Sequence, residues 1–320
     1  MKPIPSGQRD GTGEPALSDS PSMGEAPVIL SFDVEEHYRI EAAAGLSLDP
    51  DLKARSGGRL VPATDWVLDL LGRHGIQATF FIVGEIARTD PGLVRAVHAA
   101  GHEVGSHGWD HRRVLSMSPE EFRRDLRQSC DALAQVTGVG IQGYRAPTFS
   151  IVRRTAWALD VLAEEGLLYD SSIYPVRHDR YGVPDAPRGP FLAEGDGGGT
   201  ILELPPALLR LPGMNLPVGG GGYFRLLPPV LLERALGQIR RDCRPAVAML
   251  YFHPWEFDPD QPRLPLNPLS RFRTYVGLRR SGTRLESLLR RHRFVRAVDV
   301  ARQLNARRDE LDVFRPGTGL

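Results

Sequence analysis

Three observations predict a parallel α/β architecture for this 320-residue chain. Short apolar runs of the kind that form buried parallel strands recur, amphipathic helical segments separate them, and glycine or proline punctuates most junctions. Chemistry-bearing side chains follow at least five of the predicted strands. A barrel collects such residues at its C-terminal face, whereas a doubly wound sheet concentrates its ligand at one switch point. The distribution therefore favours a (β/α) barrel.

Val28-Ile29-Leu30-Ser31-Phe32 is the first strand, with Asp33 and Glu35 at its end. The spacing predicts a helix over about Thr64 to His74, stopped by Gly75, and then a strand from Ala78 to Val83. Asp90-Pro91 opens the next helix, whose Leu93, Val94 and Val97 share one face, and Gly101 ends it before a strand near Glu103-Val104. Ser118-Pro119-Glu120-Glu121 is a capping box that starts a helix running to about Val136. A strand near Ile141 to Tyr144 leads into Arg145-Ala146-Pro147, a helix covers about Thr155 to Glu165, and Leu167-Leu168-Tyr169 opens a strand ending at Asp170-Ser171-Ser172. Further strands are predicted at Ile201 to Leu204 and Ala246 to Phe252, with a helix at about Pro228 to Arg241 between them. Residues 174–199 and 254–268 are rich in proline and glycine and predict long loops that serve as substrate walls or lids. Gly219 to Gly222 lacks the Lys-Ser/Thr pair of a phosphate-binding loop and reads as a flexible loop.

Hydrophobic residues make up 41% and charged residues 25% of the chain, ordinary for a globular protein, and the formal net charge of +1 gives no reason to expect a nucleic-acid binder. The arginines at Arg279-Arg280 and around Arg290-Arg291-His292-Arg293 form either a local basic strip or a solvated helix face, and the second reading is preferred. Cys130 and Cys243 support no disulfide framework and fit a reducing compartment. Residues 1–24 read as a disordered leader without the apolar core of a secretory signal, and no apolar run is long enough to span a bilayer. A cytoplasmic protein without stable membrane insertion is the expectation. Homo-oligomerisation is left open by the sequence.

His107 and His111 stand four residues apart, the spacing at which two imidazoles on a helical turn reach one ion. A catalytic zinc-type site takes three protein ligands, often two histidines and a carboxylate. Asp33, Glu35 and Glu36 are the candidate carboxylates. Strand alternation points Asp33 and Glu35 to one side and Glu36 to the other, so one of the first two is a candidate ligand and the other a candidate base.

The motifs Ser31-Phe32-Asp33-Val34-Glu35, His107-Gly108-Trp109-Asp110-His111, Arg145-Ala146-Pro147, Asp170-Ser171-Ser172 and Phe252-His253-Pro254 resemble, in order and spacing, the NodB-homology polysaccharide deacetylases of carbohydrate esterase family 4. Two positions depart from that pattern: Glu35 stands where the metal-binding acid is usually Asp, and Gly108 replaces a small hydroxyl residue. Gly220 to Pro228, His253 to Glu256 and Phe272 to Gly277 are similar to the C-terminal extension of the subfamily found with PEP-CTERM/exosortase exopolysaccharide loci.

The resemblance implies a distorted (β/α)7-type barrel over residues 25–305, with the extension at about 215–300 and a tail at 306–320. It implies a divalent metal, expected to be zinc, held by Glu35, His107 and His111, and removal of N-acetyl groups from an amino-sugar polysaccharide. Asp33 is then the base, Arg145 its orienting partner and His253 the acid that protonates the leaving amine, with Asp170 expected to raise the pKa of His253. Backbone N–H groups of Thr148 or Phe149 are candidate oxyanion donors. Trp255, Tyr223, Phe224 and Trp109 are candidate walls for a sugar ring, with core burial the competing reading for Phe224 and Trp109. Two other functions compete on the same fold: hydrolysis of cyclic amides or ureides, and carbohydrate binding without catalysis.

Overall fold

The computed structural model describes residues 26–178 and 180–318, so the expected leader lies outside the described residues. Strands β1 (Val28–Val34), β2 (Thr79–Ile82), β3 (Glu103–Ser106), β4 (Gly143–Tyr144) and β5 (Tyr169–Asp170) are parallel neighbours in chain order. β6 (Phe191–Glu194) pairs antiparallel with β7 (Thr200–Glu203), and β7 lies parallel beside β5. A hairpin of β8 (Leu208–Leu211) and β9 (Met214–Pro217) follows, after which β10 (Ala248–Phe252) returns to the free side of β1.

Seven parallel strands thus form a wall that is not closed by a ladder. The gap between β7 and β10 is spanned by single bonds: Ala207 N–H donates to Met249 O at 2.8 Å, and Tyr251 N–H to Gly219 O at 2.9 Å. This is the distorted barrel expected from the sequence. Gly219 to Gly222 is no flexible loop. A Cβ at Gly220 would lie 1.7 Å from Tyr251 O, so only glycine lets this segment sit against β10. β6 falls in the stretch expected to be loop. It is four residues long and its ladder lies across the sheet, so no local periodicity announces it.

The helices are α1 (Pro50–Gly57), α2 (Leu60–His74), α3 (Gly84–Thr89), α4 (Pro91–Ala99), α5 (Pro119–Thr137), α6 (Trp157–Glu164), α7 (Gly221–Leu226), α8 (Pro229–Asp242), α9 (Pro268–Tyr275), α10 (Leu278–Leu289) and α11 (Ala297–Asn305). The capping box forms, with Ser118 Oγ accepting from Glu121 N and the Glu121 carboxylate accepting from Ser118 N, and Gly138 closes α5 in the left-handed region. α2 likewise ends on left-handed Gly75.

Phe32, Phe80 and Phe252 are wholly buried between the sheet and its helices, each contributing about 1.5–3 kcal/mol. Inside the barrel, Ile29, Phe81, Tyr169, Leu202 and Met249 pack with Ala297, Val298 and Ala301 of α11. α11 is tied to the N-terminal strand ends: Ala297 N–H donates to Thr79 Oγ1 and Val298 N–H to Glu103 Oε2. The bottom of the barrel is therefore plugged, and ligand access is left to the C-terminal rim. β11 (Phe294–Val295) adds to β1, and β12 (Val313–Phe314), within the expected tail, pairs with β6. Among the described residues no helix is long and apolar enough to cross a membrane.

Candidate active site

Register places the chemistry at one level. Phe32 is paired with Phe252, Ile82 with Ser106, Ser106 with Tyr144, and Tyr144 with Asp170. Asp33 and His253 therefore follow paired phenylalanines, and His107 and Arg145 follow a paired Ser106 and Tyr144. The run from His107 to His111 is not a helical turn. It is a loop in which Gly108 and His111 both have positive φ, 73° and 66°. The chain reverses tightly enough to turn both imidazoles to one centre, and their rings sit 5.1 Å apart. A Cβ at Gly108 would come within 3.2 Å of Asp125 Oδ2 in that left-handed geometry, which accounts for the absence of a larger residue there.

Glu35, His107 and His111 place one ligand atom each within 4.8 Å of one another. His107 Nδ1 lies 2.8 Å from Arg145 O. A carbonyl only accepts, so Nδ1 carries the proton and Nε2 is left as the ligating nitrogen. Burial pushes the His107 imidazole down to about 4 despite the nearby Asp33 carboxylate, so it is neutral near pH 7. Burial would raise the Glu35 carboxyl, but His111, then His253 and His107, pull it down to about 2. Glu35 Oε2 is buried and lies 2.5 Å from His111 Nε2 without the alignment of a hydrogen bond. Two imidazoles, an ionised carboxylate and a buried oxygen with no aligned donor fit a divalent cation of the zinc class.

Asp33 is bound on one oxygen. Arg145 Nη1 donates to Asp33 Oδ1 at 2.7 Å and to Ser31 Oγ at 2.8 Å. The guanidinium is fully buried, lies 4.3 Å from the centroid of the Phe81 ring, and is held further by Ser171 O and Ser171 Oγ. Such a cage fixes a charge where water cannot rearrange around it. Glu36 turns away and binds Arg39.

His253 reaches both acids: its Nε2 is 3.5 Å from Glu35 Oε1 and 4.0 Å from Asp33 Oδ2. Its Nδ1 lies 2.9 Å from Glu256 Oε1. Burial would lower its pKa, but Glu256, Glu35 and Asp33 outweigh this and raise it to about 9. Glu256 is itself buried and is held below the ordinary carboxylate range, against its burial, by Arg225 and His253; Arg225 Nη1 is 3.3 Å away. Sequence reasoning missed both. Glu256 was legible as an acid three residues after His253; Arg225 lies within the Gly220 to Pro228 segment, but nothing in the sequence pairs it with Glu256.

Asp170 does not partner His253. It accepts from Ser172 Oγ at 2.5 Å and lies level with Glu203 on β7, whose Oε2, like Asp170 Oδ2, is buried without a hydrogen-bond partner. Ser172 Oγ in turn accepts from Ala146 N–H at 2.8 Å, so this acid pair braces the loop that follows Arg145. Phe149 N–H is also unavailable as an oxyanion donor, because it donates to Ala146 O. Thr148 and Phe149 both adopt positive φ, 58° and 50°, and line the pocket.

A cavity of about 460 Å³ opens above these residues, walled by Asp33, His253, Trp255, Tyr223, Leu226 and Phe272 among others. Trp255 stacks on His253 with ring centroids 5.1 Å apart. Phe224 packs inward on Phe252, and Trp109 lies beneath Arg88, so neither forms part of this wall. Both cysteines are free, Cys243 buried and Cys130 half-buried on α5.

Two histidines and a carboxylate that could hold a metal ion, a caged aspartate and a carboxylate-backed histidine thus meet at the C-terminal rim of the barrel. Residues 54–166 match the family described as polysaccharide deacetylase, and residues 171–302 a domain of unknown function, DUF3473. Over that first segment the chain is similar to the polysaccharide deacetylases, in line with the resemblance its motifs carry. A peptidoglycan-N-acetylglucosamine deacetylase of Listeria monocytogenes is 36% identical over 93 residues, 29% of this chain. The match spans about a fifth of that relative's length, 20%. A probable polysaccharide deacetylase of Pseudomonas aeruginosa shares the fold with a TM-score of 0.59 at 20% identity, covering 88% of this chain and 91% of that one. Puue allantoinase does so with a TM-score of 0.59 at 20% identity, covering 93% and 98%.

Proposed function

We propose that this protein is a zinc-dependent N-deacetylase of an amino-sugar polysaccharide, working in exopolysaccharide biosynthesis. The observation that carries the reading is the placement of Asp33 and His253 4.0 Å apart beside the Glu35, His107 and His111 cluster. A base and an acid thereby stand next to one candidate metal centre. When bound there, the ion supplies a Lewis acid that activates water and polarises an acetamide carbonyl.

Asp33 Oδ2 accepts the proton of the attacking water, since Oδ1 is occupied by Arg145. His253 Nε2 gives a proton to the departing amine as the C–N bond breaks, and the Glu256 carboxylate keeps that imidazole protonated before it acts. Trp255 and Tyr223 offer faces against which a sugar ring can rest. Relatives named as deacetylases of peptidoglycan N-acetylglucosamine support an N-acetylated glycan as substrate. The similarity of the extension to the exosortase-locus subfamily supports the exopolysaccharide setting.

The test is acetate release by the purified, metal-analysed protein from N-acetylglucosamine oligomers and peptidoglycan, beside a panel of cyclic ureides. Acetate release dependent on stoichiometric metal is expected. Ureide turnover without acetate release would overturn the reading in favour of the other hydrolase class that this fold accommodates.

A further inference from the structure

α9 is built inside out. Its small hydroxyl residues Ser270 and Thr274 are buried, while Leu269 and Phe272 stand 59% and 55% exposed. A surface helix folds by turning its apolar stripe inward, so this arrangement does nothing for the stability of the chain on its own. Leu226, at the end of α7, is 51% exposed and lines the same cavity mouth as Phe272.

Charge is equally one-sided. Between residues 261 and 285 the sequence places six arginines and no acidic residue, in a chain of net charge +1. Arg271, Arg273, Arg279 and Arg280 are exposed, and none of them is in an ion pair among the described residues. Read from the sequence alone, Arg279 and Arg280 are a solvated helix face. Beside outward-facing Leu269 and Phe272 they have a different meaning.

We propose that α9 and the start of α10 form a docking surface for an anionic lipid bilayer. Arginines around protruding leucine and phenylalanine are the composition that lies in a headgroup layer: the guanidinium groups meet lipid phosphates while the apolar side chains enter the acyl boundary. A soluble acidic polymer would satisfy the arginines and leave Leu269 in water. Because Phe272 and Leu226 also line the cavity, docking holds its mouth at the headgroup layer. This surface does not depend on the reaction catalysed.

The test is co-sedimentation of the full chain with phosphatidylcholine vesicles, with and without phosphatidylglycerol. Binding is expected only with phosphatidylglycerol and is weakened by added salt. Leu269→Ser/Arg271→Gln/Arg279→Gln/Arg280→Gln, none of which lines the cavity, should weaken it about a hundredfold, at roughly tenfold or more for each pair of lost contacts. Hydrolysis of a short soluble substrate should be unchanged. If the quadruple variant fails to fold, Leu269→Ser alone and Arg279→Gln/Arg280→Gln provide the same comparison. Absence of vesicle binding by the wild type overturns the proposal, as does undiminished binding by folded variants. Equally tight binding to soluble polyglutamate would assign the surface to acidic polymers, and a wild-type dimer that the Leu269→Ser variant dissociates, without vesicle binding, to a second copy of the chain.

Discussion

Glu256 Oε1 stands 2.9 Å from His253 Nδ1, and the same oxygen accepts the His253 backbone N–H at 3.1 Å. The imidazole is thus held by a residue of its own 3-10 turn, Pro254–Phe257. Glu256→Gln removes the hydrogen-bonded charge that raises the His253 pKa toward about 9. The alkaline limb of kcat/KM should move to lower pH, with metal content unchanged. A limb that stays in place in this variant, together with full turnover in His253→Ala, would remove His253 from the acid role.

His107→Ala and His111→Ala should each lose bound metal while remaining folded, because two protein ligands hold a catalytic ion poorly. Metal analysis after dialysis and thermal unfolding decide the matter. Glu35→Gln should weaken binding in the same direction. Equal metal content in all variants and wild type would mean that the ion, if any, sits elsewhere.

Asp33→Asn should retain metal yet lose about two or more decades of kcat, since it removes a proton acceptor rather than a ligand. Arg145→Ala is expected to be worse for the fold. It leaves Asp33 as a buried, uncompensated charge, and breaking a buried pair in this way costs about 3–5 kcal/mol. Measuring unfolding and kcat on both variants separates the chemical role from the structural one.

Asp170 and Glu203 predict a pH effect on stability instead of on the reaction. Burial raises the Asp170 carboxyl to about 6 and Glu203 well above its ordinary value. A carboxyl whose pKa is raised on folding stabilises the native state while protonated, so this contribution is complete at low pH. It is lost as pH rises through about 6, and further as Glu203 ionises. The decline in Tm over that window should be shallower in Glu203→Gln, whose amide needs no proton. An identical slope in the variant would show that the pair does not carry a shared proton.

Much of this protein is determined by local sequence. The strand runs, the capping box at Ser118 and Glu121, and the glycine stops at Gly75 and Gly138 each depend on residues within one or two turns. The parallel alternation was therefore legible, as was the placement of Asp33, His107, Arg145 and His253 after strand ends.

What depended on distant parts of the chain was decided only by the tertiary structure. Asp170 looked available to His253, but the β5–β7 register sets it beside Glu203, while Glu256 takes the histidine and Arg225 comes from α7 to meet Glu256. The His107–His111 pair converges through left-handed backbone at Gly108 and His111, which four-residue spacing alone reads as a helical turn. The arginines past residue 260 change meaning once Leu269 and Phe272 are seen to face outward. The physical reason is the same in each case: periodicity sets which face of an element a residue occupies, whereas the charge or surface opposite that face is supplied by another element folded against it.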